Sequence, residues 1–257
     1  LIAFGDEIIG EANNFKFFCG AKVSGHSKWS QIKRQKGAAD LRRSNLFSKL
    51  SNTIAAAVRT GQGLDIAVER AKSANMPKDK IEMAIARAKG AQGRTVEELI
   101  LEGFGPENVA IIVKAYTDNK NRTLSDIRNI FTKGNGRLAN SGAVAHFFDL
   151  LGIIRLEKKD ISTEKSDELE LLAIDQGALD IRDMEDVVEI QTKPVDLFKV
   201  KKAVEEAGGK ILEAKLEYIP KANVNLPDEV AKEKVINLLE ALEDQAEVDE
   251  VFTNGEL

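Results

Sequence analysis

"LGIIRLEKKDISTEKSDELELLAIDQGALDIRDMEDVVEIQTKPVDLFKVKKAVEEAGGKILEAKLEYI", residues 151–219, switches repeatedly between two hydrophobic periods, and that switching decides the fold. "LGIIRLE" reads as a strand, "KSDELELLAIDQG" as a helix, and "ALDIRDM" and "DVVEIQT" as strands. "PVDLFKVKKAVEEAG" then reads as a helix and "KILEAKLEYI" as a strand. The order βαββαβ is the split motif of ferredoxin-like domains, so residues 149–216 are expected to form one such α/β domain.

Working outward, "PDEVAKEKVINLLEALEDQ" has helical period and "VDEVFTN" strand period. On the other side, "VEELILEGF" and "NVAIIVKAYT" read as two strands joined by a turn over Gly105, Pro106, Glu107 and Asn108. "NRTLSDIRNIFTKGNG" gives a helix through Leu124, Ile127 and Phe131 closed by Gly134, and "GAVAHFF" a short strand. The C-terminal helix and strand are expected to complete the sheet begun upstream. A discontinuous α/β domain then covers residues 95–148 plus 217–257.

"AKGAQGRT" is the best linker, because the period changes across it. Before it the chain is helical. "LFSKLSNTIAAAVRTG" repeats Leu46, Phe47, Leu50, Ile54 and Val58, and Gly61 follows as a stop. "LDIAVERAKSAN" and "PKDKIEMAIARAKG" repeat the pattern, with Pro77 suited to a first turn and Gly90 to a cap. Residues 27–41 read as a further helix with Ser27 as N-cap. The fold class is therefore α+β, with a helical bundle over residues 23–92 followed by two α/β domains.

Residues 1–22 lack an initiator Met, begin without basic residues, and contain Asp6, Glu7 and Glu11. Neither a secretory signal nor an Arg-rich presequence has that pattern, so the segment reads as an extension of doubtful status ahead of Val23. The single cysteine excludes an internal disulfide framework and fits a reducing, cytoplasmic setting. No apolar run approaches the roughly 18 residues of a membrane span.

Charge is divided along the chain. Residues 22–94 carry 16 basic and 5 acidic side chains, whereas residues 95–257 carry 20 basic and 34 acidic. The formal net charge of -5 hides a basic module attached to an acidic body. Within "GHSKWSQIKRQKGAADLRRSNLFSKL", residues 25–50, Lys28, Lys33, Arg34, Lys36, Arg42, Arg43 and Lys49 face only one acidic residue, Asp40. On a helix, Lys28, Lys36 and Arg43 fall within about 80° of one another, and Lys33, Arg34 and Arg42 lie outside that arc. Charge on more than one face suits a curved phosphate backbone, although lysine-rich helix surfaces also serve solubility alone. Trp29 is a core anchor or a stacking platform, and His26 a capping residue or a phosphate contact. "DNKNRTLSDIRNIF" offers Asn121 or Thr123 as a helix cap. It also offers Arg122 as a second contact, or as the partner of Asp118 or Asp126.

Catalytic signals are weak. The two histidines and one cysteine have no metal-ligand spacing, and no Walker-type phosphate loop occurs. Neither histidine lies in a nucleophile context, and the abundant carboxylates read as solvated helix faces. No enzymatic activity and no cofactor are expected.

"SGHSKWSQIKRQKGAAD", "LFSKL", "NMPKDKIEMAIARAKG", "EGFGP", "DNKNRTLSDIRNIF" and "SGAVAHFF" occur in an order that resembles the YebC/PmpR family, over residues 24–256. Mitochondrial relatives in that family are translational activators. The resemblance implies three domains and a nucleic-acid partner. That partner is DNA for members described as transcriptional regulators. It is ribosomal RNA for members that relieve stalling at proline-rich stretches. Carried over by motif, it implies contacts through His26, Lys28, Trp29, Lys33, Arg34 and Lys36, and through Asn121 and Arg122. Two departures stand out. Gly63 runs straight into Leu64 where the family usually has a longer connection, and Glu107 and Asn108 replace glycines usual after the EGFGP-like motif.

Three functions follow as alternatives: a DNA-binding transcriptional regulator, a ribosome-associated translation factor, and a protein-interaction module acting through the acidic domains. The ferredoxin-like part has no RNA-recognition run of the K/R-G-F/Y type, and no clear recognition helix of a helix-turn-helix is visible.

Overall fold

The computed structural model describes residues 39–61, 63–90, 96–158, 163–184 and 186–257. The basic module contributes α1 (Ala39–Thr60), α2 (Leu64–Ser73) and α3 (Lys78–Lys89). Helix α1 runs unbroken through residues 41–46, where the sequence pattern suggested two helices meeting. The proposed Ser27 cap lies outside the described residues. Leu50, Ile54 and Ala57 repeat at helical spacing on α1 and pack on Ala67 and Ala71 of α2 and on Ile81 and Ala84 of α3. Gly61 and Gly63, at φ +69° and +70°, turn the chain from α1 into α2 in very few residues.

Next come β1 (Glu97–Phe104), β2 (Ala110–Thr117), α4 (Lys120–Lys133) and β3 (Arg137–Leu138). β4 (Phe148–Glu157), α5 (Thr163–Gln176), β5 (Ala178–Asp183), β6 (Val187–Thr192), α6 (Leu197–Glu206) and β7 (Ile211–Pro220) follow. The chain closes with β8 (Val224–Asn225), α7 (Glu229–Glu243), β9 (Val248–Thr253) and β10 (Gly255–Glu256). One four-stranded sheet has the order β3-β1-β2-β9, so the C-terminal strand β9 returns to pair with β2. The other has the order β5-β6-β4-β7 with every neighbour antiparallel, the arrangement of the split βαββαβ unit.

Strand β2 is covered on both faces, which explains its near-continuous apolar run. Ile111, Val113 and Ala115 pack on Ile127 and Phe131 of α4 and on Val235, Leu238 and Leu242 of α7. The alternate residues Ala110 and Ile112 pack on Val144, Phe148 and Phe252.

"GAVAHFF" is not a strand. Residues 142–144 turn, Ala145–Phe147 form a 3-10 turn, and β4 begins only at Phe148. The cause is the Glu102 carboxylate, which accepts the backbone N–H groups of Gly142, Val144 and Ala145 at 2.7, 2.6 and 2.8 Å. Donors satisfied this way are not left to a sheet ladder. Burial acts to raise the pKa of Glu102, and the three N–H donors outweigh it, so the carboxyl lies below its ordinary range.

The turn between β1 and β2 holds Glu107 at φ 56° and Asn108 at φ 55°, two successive residues in the left-handed region. Only glycine adopts that conformation without steric cost, so the Glu107 departure noted in the sequence sits where a Cβ is disfavoured.

Candidate nucleic-acid interface

Of the residues singled out in the sequence, His26, Lys28, Trp29, Lys33, Arg34 and Lys36 lie outside the described residues. Arg42 and Arg43 stand in the first turns of α1, Arg43 four positions before Phe47. Asn121 and Arg122 stand in the first turn of α4.

The start of α4 corrects the expected capping. Asn119, not Asn121 or Thr123, is the N-cap, its side-chain oxygen accepting the N–H of Arg122 at 3.1 Å. Thr123 is fully buried and donates its hydroxyl to Thr117 Oγ1 at 2.8 Å. Asn121 is exposed. Arg122 contacts Asp118 at 3.0 Å and Glu247 at 2.5 Å. The hydrogen bond to Glu247 is the main reason its pKa is raised. Of the two carboxylates weighed in the sequence, Asp118 is a partner. Asp126 instead accepts from Gln245. Glu247 lies 125 residues away along the chain, beyond the reach of a local reading.

Arg122 also borders a cleft of about 930 Å³ between the helical module and the first sheet. Phe47, Ser51 and Asn52 of α1 form one wall, Lys80 and Arg87 of α3 a second, and Tyr116 with Thr117 the floor beside Arg122. The Lys80 ammonium lies 5.2 Å from the Phe47 ring centroid. Lys80 and Arg87 are exposed and seven positions apart, so they share one face of α3 at a spacing of two turns. Lys72, Lys78 and Lys89 are exposed on the same module. Of these, Lys78 reaches Glu82 at 3.6 Å.

Not all of the module's charge faces outward. Lys49 donates to the backbone carbonyl of Glu243. Arg70 pairs with Asp249 at 3.0 Å and reaches Glu250 at 3.7 Å. Burial acts to lower the Arg70 pKa, and the two carboxylates raise it by more. From there a chain of buried ion pairs continues. Glu250 meets Lys215 of β7 at 2.6 Å, Lys215 meets Glu217 at 3.1 Å, and Glu217 meets Arg155 of β4 at 2.8 Å. The register places Arg155 directly opposite Glu189 on β6 and Glu213 on β7. The acidic body thus anchors Arg70 and Lys49 while leaving Lys80 and Arg87 open. Lys80 and Arg87 were not singled out in the sequence, although their shared helical face is legible there.

Among the described residues no group of His, Cys, Asp or Glu is disposed to hold a metal, and no helix is long and apolar enough to cross a membrane.

Two family models match. The TACO1/YebC protein N-terminal domain matches residues 27–91, and the TACO1/YebC second and third domain matches residues 96–255. A probable transcriptional regulatory protein of Thermotoga maritima is 44% identical over 243 residues, covering 91% of this chain and 94% of that protein. One of the same description from Dictyoglomus thermophilum is 45% identical, covering 91% and 96%. The crystal structure of a conserved hypothetical protein, Aq1575 from Aquifex aeolicus, superposes with a TM-score of 0.79. Its identity is 41%, over 90% of this chain and 97% of that one.

Proposed function

The chain belongs to the TACO1/YebC family, and from that membership we propose that it is a transcriptional regulatory protein that binds DNA through its basic N-terminal helical module. The observation that carries the reading is the exposed Lys80–Arg87 face of α3. It borders the cleft between the module and the first sheet, and residues 22–94 carry 16 basic side chains against 5 acidic ones. The names of the relatives from Thermotoga maritima and Dictyoglomus thermophilum support the regulatory part.

The mechanism is electrostatic. Lysines and arginines that neutralise phosphates release condensed counterions, so affinity falls with the logarithm of salt concentration. The sequence adds His26, Lys28, Trp29, Lys33, Arg34, Lys36, Arg42 and Arg43 as candidate contacts in the same stretch of chain, and Asn121 and Arg122 in the sheet domain. The body keeps the module in place through the Arg70–Asp249 pair. Phosphate contact positions the protein and gives no base specificity by itself. No catalytic step is assigned.

The test is duplex-DNA binding by the full chain across a salt series, comparing the wild type with the triple variant Lys33→Glu, Arg34→Glu, Lys36→Glu. Loss of binding with an unchanged melting temperature supports the proposal, and unchanged binding overturns it. Sedimentation from lysate with and without nuclease separates the alternatives. Co-migration with ribosomes instead of DNA points to ribosomal RNA, and association with neither points to a protein partner.

A further inference from the structure

We propose a second nucleic-acid contact at the opposite end of the first sheet, where Phe104, Arg137, His146 and Phe147 form a stacking site for an unpaired base. This deepens the DNA-binding reading and rests on it for the kind of polymer bound.

Phe147 and His146 sit side by side in the 3-10 turn before β4, their ring centroids 3.9 Å apart and tilted by 39°. Both are exposed, Phe147 to 38%. The Phe104 ring meets Phe147 edge to face at 6.4 Å. On Phe104 lies the guanidinium of Arg137, 4.8 Å from the ring centroid. Both Nη atoms of Arg137 donate to Asn108 Oδ1 at 3.3 Å, which fixes the plane of the fork. Arg137 is itself exposed and has further N–H donors for a phosphate.

The turn that carries the rings is held before any ligand arrives. Glu102, 6% exposed, accepts the N–H groups of Gly142, Val144 and Ala145 in that turn. Backbone order already in place lowers the entropic cost of binding. Flat exposed rings beside a fixed guanidinium have the chemistry of single-strand recognition, in which bases stack and the cation meets the backbone.

The location gives a length. Register pairs Glu97 with Thr117 at the cleft end and Phe104 with Ala110 at the stacking end. A strand of 8 residues rises about 3.3 Å per residue, so the two ends lie roughly 25 Å apart. One strand at 3.4 Å per stacked base covers that span in about seven nucleotides.

The experiment uses the full chain and three probes of one sequence: a 14-nucleotide single-stranded DNA, the same strand as RNA, and the paired DNA duplex. The double variant His146→Ala, Phe147→Ala is expected to lose about tenfold in affinity for a single strand and to keep its affinity for the duplex. The strand type with the larger loss names the source of the base. Phe147→Leu keeps apolar bulk without the aromatic face, and it is expected to reproduce part of the loss at an unchanged melting temperature. Failure of the wild type to bind either single strand, unchanged single-strand affinity in the double variant, or equal loss on strand and duplex would each overturn the site. Failure of the DNA-binding reading shows separately, as unchanged duplex binding in the Lys33, Arg34, Lys36 charge-reversal variant.

Discussion

Arg70 Nη1 stands 3.0 Å from Asp249 Oδ2, tying helix α2 of the basic module to strand β9 of the acidic body. The Asp249 side chain is 3% exposed and that of Arg70 30%. The pair is therefore a junction between domains and not a surface decoration. It withdraws one arginine from the basic face and fixes where the rest of that face points.

Removing Arg70 leaves a buried carboxylate without its partner. Arg70→Met is expected to cost about 3 kcal/mol, the low end for a buried pair because the arginine is partly solvated. Replacing both partners, Arg70→Met with Asp249→Leu, is expected to recover much of that stability. Thermal melts of the three variants measure it, and a double variant less stable than Arg70→Met would contradict the account.

Acid is expected to weaken the same junction. Burial acts to raise the Glu250 pKa, while Lys215, Arg70 and Lys114 lower it by more, so the folded value lies below the ordinary 4.5. A depressed carboxylate contributes stability that is present above its unfolded pKa and lost as the pH falls through the folded one. Stability should therefore decline below about pH 4.5. Glu250→Gln should start less stable at neutral pH and decline less steeply, which chemical denaturation at a series of pH values would show.

The β1–β2 turn has a stabilising substitution available. Glu107 at φ 56° pays a steric cost that glycine avoids. Glu107→Gly is expected to gain about 0.5–1 kcal/mol, net of the extra freedom glycine has in the unfolded chain. A lower melting temperature in that variant would count against the strain.

Arg87 provides the most direct probe of the cleft within the described residues. Arg87→Ala is expected to weaken duplex binding uniformly across sequences and to reduce the salt slope by about one. Lys72→Ala, at an exposed position that does not line the cleft, serves as the comparison. Identical slopes for wild type and Arg87→Ala would remove α3 from the interface.

Local patterns were legible where the physics is local. The period switches over residues 151–219 marked every element of the βαββαβ unit, because side-chain alternation and turn chemistry act within a few residues. "GAVAHFF" misled for the same reason. Its apolar alternation resembles a strand, yet the carboxylate that bends it belongs to Glu102, some 40 residues earlier. At the start of α4, Asp118, Asn119, Asn121 and Thr123 are all residue types that can cap a helix, and the geometry at Asn119 chooses among them.

The amino-acid sequence by itself determined the order of helices and strands and the division of the chain into a basic module and an acidic body. Tertiary structure alone decided which cations stay available. Arg70 and Arg87 lie on neighbouring helices with the same chemistry, but β9 covers only the first. That difference depends on a strand nearly 180 residues downstream, and burial of a charge follows from which surfaces meet in space.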